Sequence, residues 1–119
     1  MNFVTVTIPK HAHVLLLEDS EMRITWFKNK IKNLHVCSSV QEFKEYFDTK
    51  PLVDFIFWDH DLGEGGTGLD AAKYLTERFG PGNKWGLIHS WNSTGSAAMK
   101  AVLTGSMCIP FGDFEIEEK

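Results

Sequence analysis

Two carboxylates and an imidazole stand where an apolar segment of the sequence stops. Residues 52–58 form an apolar run that ends at Asp59, His60 and Asp61, and a glycine-rich turn follows. A run of this length bounded by turn residues is typical of a strand buried on both faces of a sheet. Ligands of open parallel sheets bind at the carboxyl ends of the strands. We therefore predict that these three residues form the floor of a functional site.

Polar residues also end two other apolar segments. Glu18 and Asp19 close an earlier run, and His89, Ser90 and Asn92 close a later one. If the three strands lie side by side, their polar ends share one rim of the sheet. Clustered carboxylates repel one another and resist ionisation unless a cation joins them. Oxygen-rich groups favour Mg²⁺ or Mn²⁺, and imidazoles suit proton transfer near neutral pH.

Each of these clusters also has an ordinary structural interpretation. Glu18 and Asp19 could cap the helix that follows them and offset its dipole. Residues 59–61 could form a polar turn, and His89 could be a histidine at a strand end. The coincidence of such residues at three predicted strand ends favours a shared site.

Two larger side chains lie near the predicted rim. Trp91 stands between Ser90 and Asn92, where it could pack at the rim or stack on a base or sugar. Arg23 lies on the first predicted helix and could face either the rim or the solvent.

The composition is that of an ordinary soluble domain. The 119 residues are 43% hydrophobic and 24% charged. No apolar run approaches the ~20 residues of a membrane span, and the first residues lack a basic-then-apolar signal pattern. We therefore expect a cytoplasmic protein without membrane contact. The net charge of −4 argues against binding extended duplex nucleic acid, but not against recognising one phosphate group or one strand end.

Apolar periodicity predicts alternating strands and helices. The predicted strands are residues 2–8, 14–17, 34–37, 52–58, 85–90 and 106–111, and the predicted helices begin near residues 20, 40, 67 and 95. Ser39 to Glu42 forms a capping box, and Thr67 begins a weaker capping pattern. Right-handed crossovers then give one three-layer α/β domain with helices on both faces of a parallel sheet. Residues 1–12 are predicted to be a peripheral segment containing a short strand, and residues 112–119 a frayed acidic tail.

Cys37 and Cys108 are the only two cysteines, too few for a disulfide framework. The predicted fold places them on opposite edges of the sheet, roughly 19 Å apart, whereas a disulfide needs Cα atoms within about 7 Å. We expect two free thiols, both of them buried.

The pattern resembles the receiver domain of response regulators over nearly the whole chain. The shared features are an acidic pair after the first strand of the sheet (Glu18, Asp19), an aspartate closing the third (Asp59) and a hydroxyl residue closing the fourth (Ser90). The resemblance implies a flavodoxin-like fold with a five-stranded parallel sheet in the order 2-1-3-4-5. It also implies that the acidic pair holds Mg²⁺ beside an acceptor aspartate, Asp59.

The sequence departs from the receiver pattern in three ways. Receivers carry a lysine before the proline of the fifth strand, and here Ile109 precedes Pro110. The last helix is short or missing. His60, Asp61 and His89 are not part of the usual receiver set.

A closer resemblance is to a divergent group, the cyclic-phosphate-processing receiver-like domains. Their motifs are an LDD start followed by an arginine, a DHDLG end to the third strand with a following TG, and an HS-x-N end to the fourth. The sequence has Leu-Glu-Asp-Ser-Glu-Met-Arg at 17–23, Asp-His-Asp-Leu-Gly at 59–63, Thr-Gly at 67–68 and His-Ser-Trp-Asn at 89–92. Glu18 replaces the first acid of the pair and keeps its charge. The resemblance implies metal-dependent handling of cyclic phosphates at nucleotide or RNA ends.

The leading hypothesis is a metal-dependent phosphoesterase acting on a cyclic phosphodiester, with Mg²⁺ or Mn²⁺ as cofactor. Three sets of residues would carry this activity. The metal ligands would be Glu18, Asp19, Asp59 and Asp61; the catalytic residues Asp59, His60 and His89; and the substrate-binding residues Arg23, Ser90 and Asn92.

Two other functions stay open at this point. The first is a true receiver that is phosphorylated on Asp59, and the missing lysine argues against it. The second is a non-enzymatic module on a receiver scaffold that binds a nucleotide or a protein partner, as small domains often do.

Overall fold

The computed structural model describes residues 3–49, 52–80 and 86–119. Its elements alternate along the chain as follows. They are β1 (Val4–Ile8), β2 (Val14–Leu17), α1 (Glu21–Lys30), β3 (Leu34–Cys37), α2 (Val40–Asp48), β4 (Phe55–Trp58), a 3₁₀ turn (Gly63–Gly65), α3 (Gly68–Phe79), β5 (Gly86–Ile88), α4 (Ser93–Val102), β6 (Met107–Cys108) and β7 (Phe114–Glu118).

Five of these strands form a parallel sheet in the order β3-β2-β4-β5-β6. Numbered within this sheet alone, the order is 2-1-3-4-5, as predicted. The numbers over the whole chain are shifted by one because β1 precedes the sheet and belongs to a separate two-stranded sheet with β7. The predicted three-layer α/β architecture is therefore confirmed.

The central strand β4 is buried on both faces, as its apolar run predicts. Ile56 and Trp58 pack on one face with α2, α3 and α4, while Phe57 packs on the other face with α1, β1 and β7. All three side chains are almost fully buried. The strand is shorter than predicted, since it begins at Phe55 and Leu52 remains exposed.

The C-terminal segment is a strand, so the prediction of a frayed tail over residues 112–119 is wrong. β7 pairs in parallel with β1, from Val4 opposite Phe114 to Ile8 opposite Glu118. Phe114 and Ile116 alternate with glutamates and point into the core, which is the period-two pattern of a half-buried strand. No helix follows β6 within residues 109–119, as expected, and β1 and β7 cover that face of the sheet beside α1.

Side-chain caps begin the helices. The Ser39 Oγ accepts a hydrogen bond from the backbone N–H of Glu42, and the Thr67 Oγ1 accepts one from Asp70, as the capping patterns predict. The helix α4 begins at Ser93, two residues before its predicted start. Its cap is Asn92, whose Oδ1 accepts the N–H of Gly95 at 2.9 Å.

Both cysteines are free and lie on opposite edge strands, as predicted. Cys37 is buried in β3, and burial raises the pKa of its thiol to about 12. Cys108 in β6 is exposed, so its predicted burial is wrong. β6 is a two-residue strand at the edge of the sheet, so it is paired on one side only.

The predicted strand at residues 85–90 is observed as β5 from Gly86, and its first predicted residue, Trp85, lies outside the described residues. Within the described ranges, no helix is long and apolar enough to cross a bilayer.

Candidate functional site

The register of the sheet brings three polar residues level at one rim. Leu17 pairs with Trp58, and Trp58 pairs with Ile88, so the next residue of each strand emerges at the same height. The Asp59 N–H donates to the Leu17 carbonyl at 3.0 Å, and the His89 N–H donates to the Trp58 carbonyl at 2.8 Å. The predicted convergence of the three strand ends is therefore observed.

A cavity of about 240 Å³ opens at this rim. Its lining consists of Glu18, Asp19, Ser20, Arg23, Asp59, Asp61, Ser90, Trp91 and Asn92. All four predicted metal ligands and all three predicted substrate-binding residues are in this set. The structure does not place His60 and His89 in the lining. Their direct participation in proton transfer stays a prediction.

A larger cavity of about 720 Å³ lies elsewhere, bordered by the end of β1 and the start of β4. The Asp54 carboxylate in its lining already accepts the backbone N–H of His13 at 2.8 Å. The acidic cavity is the smaller of the two, but it joins the strand ends that carry the predicted site residues.

Glu18 is fully buried and holds its charge through several donors. Its Oε2 accepts the backbone N–H groups of Asp19 and Ser20, each at 3.2 Å. Its Oε1 lies 2.8 Å from His89 Nε2 and 3.6 Å from Arg23 Nη1. Burial by itself raises the pKa of Glu18, but the hydrogen bond from His89 and the other donors outweigh it and leave this pKa below its ordinary value.

Asp59 has the opposite electrostatic environment. Its side chain is buried beside the Glu18 carboxylate, and the described contacts provide it with no cation as close as the one beside Glu18. Burial and the negative charge of Glu18 together raise the pKa of Asp59 to about 7. Near neutral pH, the Asp59 carboxyl group of the metal-free site is therefore partly protonated, while Glu18 stays ionised.

His89 lies behind Glu18 rather than in the cavity. The ring is fully buried, 5.2 Å from the ring of Phe27, and burial lowers its pKa more than Glu18 raises it. A neutral imidazole beside an ionised carboxylate places the proton on Nε2, which donates to Glu18. Nδ1 has no hydrogen-bond partner among the described residues.

His60 also forms a hydrogen bond with a carboxylate of the cavity lining. Its Nδ1 lies 2.9 Å from Asp61 Oδ1 and 3.4 Å from the Asn92 amide nitrogen. The Asn92 Nδ2 also donates to Asp61 Oδ2 at 3.2 Å. The hydrogen bond from His60 lowers the pKa of Asp61, and Asn92 adds to this effect. The imidazole thus orients a carboxylate that lines the cavity.

Of the residues that the structure describes, Arg23 is the one cation in the cavity lining, and α1 directs it there. Its guanidinium carbon lies 4.3 Å from the centre of the Trp91 ring, in a cation–π contact. The Trp91 Nε1 donates to the Phe111 carbonyl at 2.8 Å. These two contacts fix the indole although 63% of the residue is exposed.

Two glycines allow the close approach of backbone and side chains around the site. A Cβ on Gly68 would lie 2.0 Å from the Asp59 carbonyl oxygen, so α3 begins directly against the end of β4. A Cβ on Gly95 would lie 2.5 Å from His60 Cγ. The glycine of the Thr67-Gly68 motif is therefore required by packing.

The lining residues fit a divalent cation. Ligand atoms of Glu18, Asp59 and His89 all lie within 4.8 Å of one another. This group shares Glu18 and Asp59 with the predicted set, while Asp19 and Asp61 are exposed on the cavity wall. His89 Nε2 is already committed to Glu18, so the carboxylates are the better ligands. A cation would also relieve the repulsion that raises the pKa of Asp59.

The cavity lining also contains Ser20, which the sequence analysis did not predict for the site. Ser20 is the N-cap of α1, and this position directly after Asp19 is the feature that could have identified it. Ile109, which replaces the receiver lysine, is half-buried and packs against the core. Among the described residues, no lysine is in the lining of the acidic cavity.

The fold and the acidic strand ends define the receiver class of α/β domains. The family model of the cyclic-phosphate processing receiver domain matches residues 13–105. The chain therefore belongs to this family. No curated protein was found to match the sequence.

Solved receiver structures share the fold at low sequence identity. The N-terminal domain of a response regulator/sensory box/GGDEF three-domain protein from Carboxydothermus hydrogenoformans is 16% identical with a TM-score of 0.65, over 81% of this chain and 79% of that chain. The phosphorylated cyanobacterial phytochrome response regulator RcpA is 14% identical with a TM-score of 0.63, over 83% and 80%. A chain of the CheX–CheY–BeF₃–Mg²⁺ complex from Borrelia burgdorferi is 12% identical with a TM-score of 0.62, over 89% and 78%.

Proposed function

We propose that this domain is a metal-dependent phosphoesterase that opens a cyclic phosphodiester at a nucleotide or an RNA end. The observation that carries the proposal is one cavity whose lining brings four carboxylates together with an arginine and two serine hydroxyls. The acids suit a cation, and the arginine and the hydroxyls suit phosphate oxygens. Membership of a family described as cyclic-phosphate processing supports the choice of substrate.

Glu18, Asp19, Asp59 and Asp61 would hold the cation, Mg²⁺ or Mn²⁺, because all four border the same cavity. When bound, such an ion supplies charge neutralisation at the phosphoryl oxygens and lowers the pKa of a water in the site. Asp59 must lose its proton to act as a ligand, and its raised pKa reflects a site arranged for positive charge.

Arg23 and Ser90 are the groups available to bind the phosphate. The Ser90 Oγ accepts the N–H of Asn92 at 3.1 Å, which leaves its own hydroxyl hydrogen free to donate into the cavity. Asn92 is less available than predicted, because its Oδ1 caps α4 and its Nδ2 is engaged by Asp61. We assign Asn92 to orienting Asp61.

The reaction would be the hydrolysis of one ester bond. Water adds to phosphorus, one of the two ring P–O bonds breaks, and the product is a phosphomonoester with a free hydroxyl on the same molecule. One proton leaves the attacking water and one reaches the departing oxygen. Each imidazole is hydrogen-bonded to a carboxylate that lines the cavity, His60 to Asp61 and His89 to Glu18. This arrangement supports orientation of those carboxylates by the two histidines.

The first test is a panel of 2′,3′- and 3′,5′-cyclic nucleotides assayed with Mg²⁺ or Mn²⁺. Asp59→Asn should abolish turnover, since it removes a ligand charge from the cavity. Asp113→Asn is the matched control, because this exposed aspartate lies outside the cavity, and its turnover should equal that of the native protein. Absence of turnover with every substrate and both metals would contradict the proposal.

A second set of variants separates the two possible roles of the histidines. His60→Ala and His89→Ala should each lower turnover by ~10²–10⁴ with metal binding retained. His89→Gln places an amide nitrogen where Nε2 donates to Glu18, and His60→Asn does the same for Nδ1. If the histidines orient carboxylates, these two variants should retain most of the activity. If they transfer protons directly, the variants should be as inactive as alanine.

The competing function is a receiver phosphorylated on Asp59, and the position of this residue at the end of β4 in a receiver fold favours it. It predicts that a small phosphodonor adds one phosphoryl group to the native protein and not to Asp59→Asn. Intact mass spectrometry measures this directly. Stable phosphorylation without turnover of any cyclic phosphate would replace the phosphoesterase proposal.

A further inference from the structure

Ser90 and Trp91 border two cavities at once. One is the acidic cavity, and the other is a neighbouring cavity of about 320 Å³ between α4 and the segment from β6 to Pro110. The lining of this second cavity is mainly apolar and includes Trp91, Ser93, Ala97, Lys100, Cys108 and Ile109. Ile109, which replaces the receiver lysine, is part of this lining.

Taken together, the two cavities match the size of a site for one small ligand. Small-molecule sites typically have volumes of about 300–1,000 Å³. The acidic cavity, at about 240 Å³, is below this range, and the neighbouring one is at its lower end. A ligand that fills both would place a charged group beside the acids and an apolar group beyond Trp91.

The indole of Trp91 is suited to stacking. It is 63% exposed, yet it is held by the hydrogen bond to the Phe111 carbonyl and by the Arg23 guanidinium. A side chain that is already fixed loses little conformational entropy when a ligand stacks on it. Flat aromatic rings gain the most from such a surface, and nucleobases are the usual partners of exposed aromatic residues in nucleotide sites.

We infer that the second cavity is a nucleobase subsite, so that the substrate is a cyclic nucleotide or a terminal nucleotide rather than a cyclic phosphate without a base. This inference rests on the proposed function for the position of the phosphate. The cavity between α4 and β6 would then determine specificity, while the acidic cavity carries the chemistry.

Cys108 provides a direct report on the second cavity. It is exposed and lines this cavity but not the acidic one. Cys37 is buried with its pKa raised to about 12, so iodoacetamide at neutral pH should label Cys108 alone. The probes are adenosine 3′-monophosphate, adenosine and glycerol 2-phosphate, each with Mg²⁺. At ten times its Kd, the adenosine monophosphate should slow labelling about tenfold, whereas bound glycerol 2-phosphate should leave labelling unchanged.

A pair of tryptophan substitutions on α4 completes the experiment. Ala97→Trp fills the second cavity, and Ala101→Trp, one turn further along the same helix, adds the same bulk outside it. Calorimetry should show adenosine 3′-monophosphate binding about tenfold more weakly to Ala97→Trp and unchanged to Ala101→Trp. Glycerol 2-phosphate should bind equally to both variants and to the native protein.

The outcomes separate this inference from the proposed function. Equal affinity for the two monophosphates, no protection of Cys108 and no effect of Ala97→Trp would overturn the base subsite while leaving the phosphoesterase intact. If no phosphate binds and no cyclic phosphate is turned over, the proposed function fails. In that case, protection of Cys108 by adenosine alone would still support the subsite, and absence of that protection would overturn it.

Discussion

Glu18 and Asp59 are neighbouring buried carboxyl groups with opposite electrostatic environments. Glu18 is surrounded by donors from Asp19, Ser20 and His89, whereas Asp59 faces the charge of Glu18. The pKa of Glu18 is therefore lowered and that of Asp59 is raised to about 7. Asp59 therefore gains more than Glu18 from an added cation.

The raised pKa of Asp59 predicts how the stability of the metal-free protein depends on pH. Unfolding returns Asp59 from a pKa of about 7 to its ordinary value of 3.8, so the folded state binds more protons between these values. The contribution of Asp59 to the free energy of unfolding should therefore fall as the pH rises from about 4 to 7, and level off above that. The lowered pKa of His89 acts in the opposite direction, so the effect of Asp59 is measured as the difference between the native protein and Asp59→Asn. Asp59→Asn removes this ionisation and should stabilise the metal-free protein at pH 8 by about 2–4 kcal/mol.

Urea unfolding of both proteins in EDTA between pH 4 and pH 8 measures this effect. Asp113→Asn controls for the loss of one carboxylate from the surface. Excess Mg²⁺ should reverse the order of stability at pH 8, because only the native protein keeps the full ligand set. A difference in stability between the native protein and Asp59→Asn that stays flat over this range would show that Asp59 is ionised throughout.

At the scale of single elements, α4 does more than cover the sheet. Its cap residue Asn92 contacts Asp61, and its third residue, Gly95, packs against the ring of His60. The same helix lines the second cavity with Ala97 and Lys100. The N-terminal half of α4 therefore helps to form both the acidic cavity and the neighbouring one.

Gly95→Ala tests this packing. The added Cβ would approach His60 Cγ to 2.5 Å, so the ring must move away from Asp61. Overpacking of this kind typically costs about 1–3 kcal/mol, although alanine alone would favour a helix over glycine. We expect lower thermal stability and a changed NMR signal for the His60 ring. Ala98→Gly, in the same helix away from that ring, is the control for helix propensity. A Gly95→Ala protein that is more stable than native would contradict the described contact.

At the scale of the whole molecule, the sequence predicted the sheet well, because the apolar composition of strands such as β4 itself indicates that they are buried. Parallel pairing alone is enough to predict that Glu18, Asp59 and His89 lie at the same rim of the sheet. The side-chain directions could not be predicted. Whether His60 faces the cavity or Asp61 depends on packing with Gly95, which is distant in the sequence.

The last strand was missed for a related reason. β7 is five residues long, and three of them are glutamates, so its composition is that of a solvated tail. Its partner, β1, lies at the other end of the sequence and is itself short. Only the pairing buries Phe114 and Ile116, and pairing between such distant segments has no local signal.

Substitutions in β7 test its contribution to stability. Ile116 is buried between β1 and the sheet, so Ile116→Ala should destabilise the domain by about 2–4 kcal/mol. Glu117→Ala, at the next and exposed position, should change stability by less than about 0.5 kcal/mol. Thermal or urea unfolding measures both. Equal and small effects would mean that the tail does not pack on the domain in solution.

The pairing of Val4 with Phe114 has a consequence for biosynthesis. On the ribosome, β1 emerges early, but the strand that completes its hydrogen bonds is synthesised only after the remainder of the sheet. Until then the apolar layer around Phe27 and Phe57 lacks its outer cover, so the nascent domain is exposed to proteases and chaperones until β7 leaves the exit tunnel.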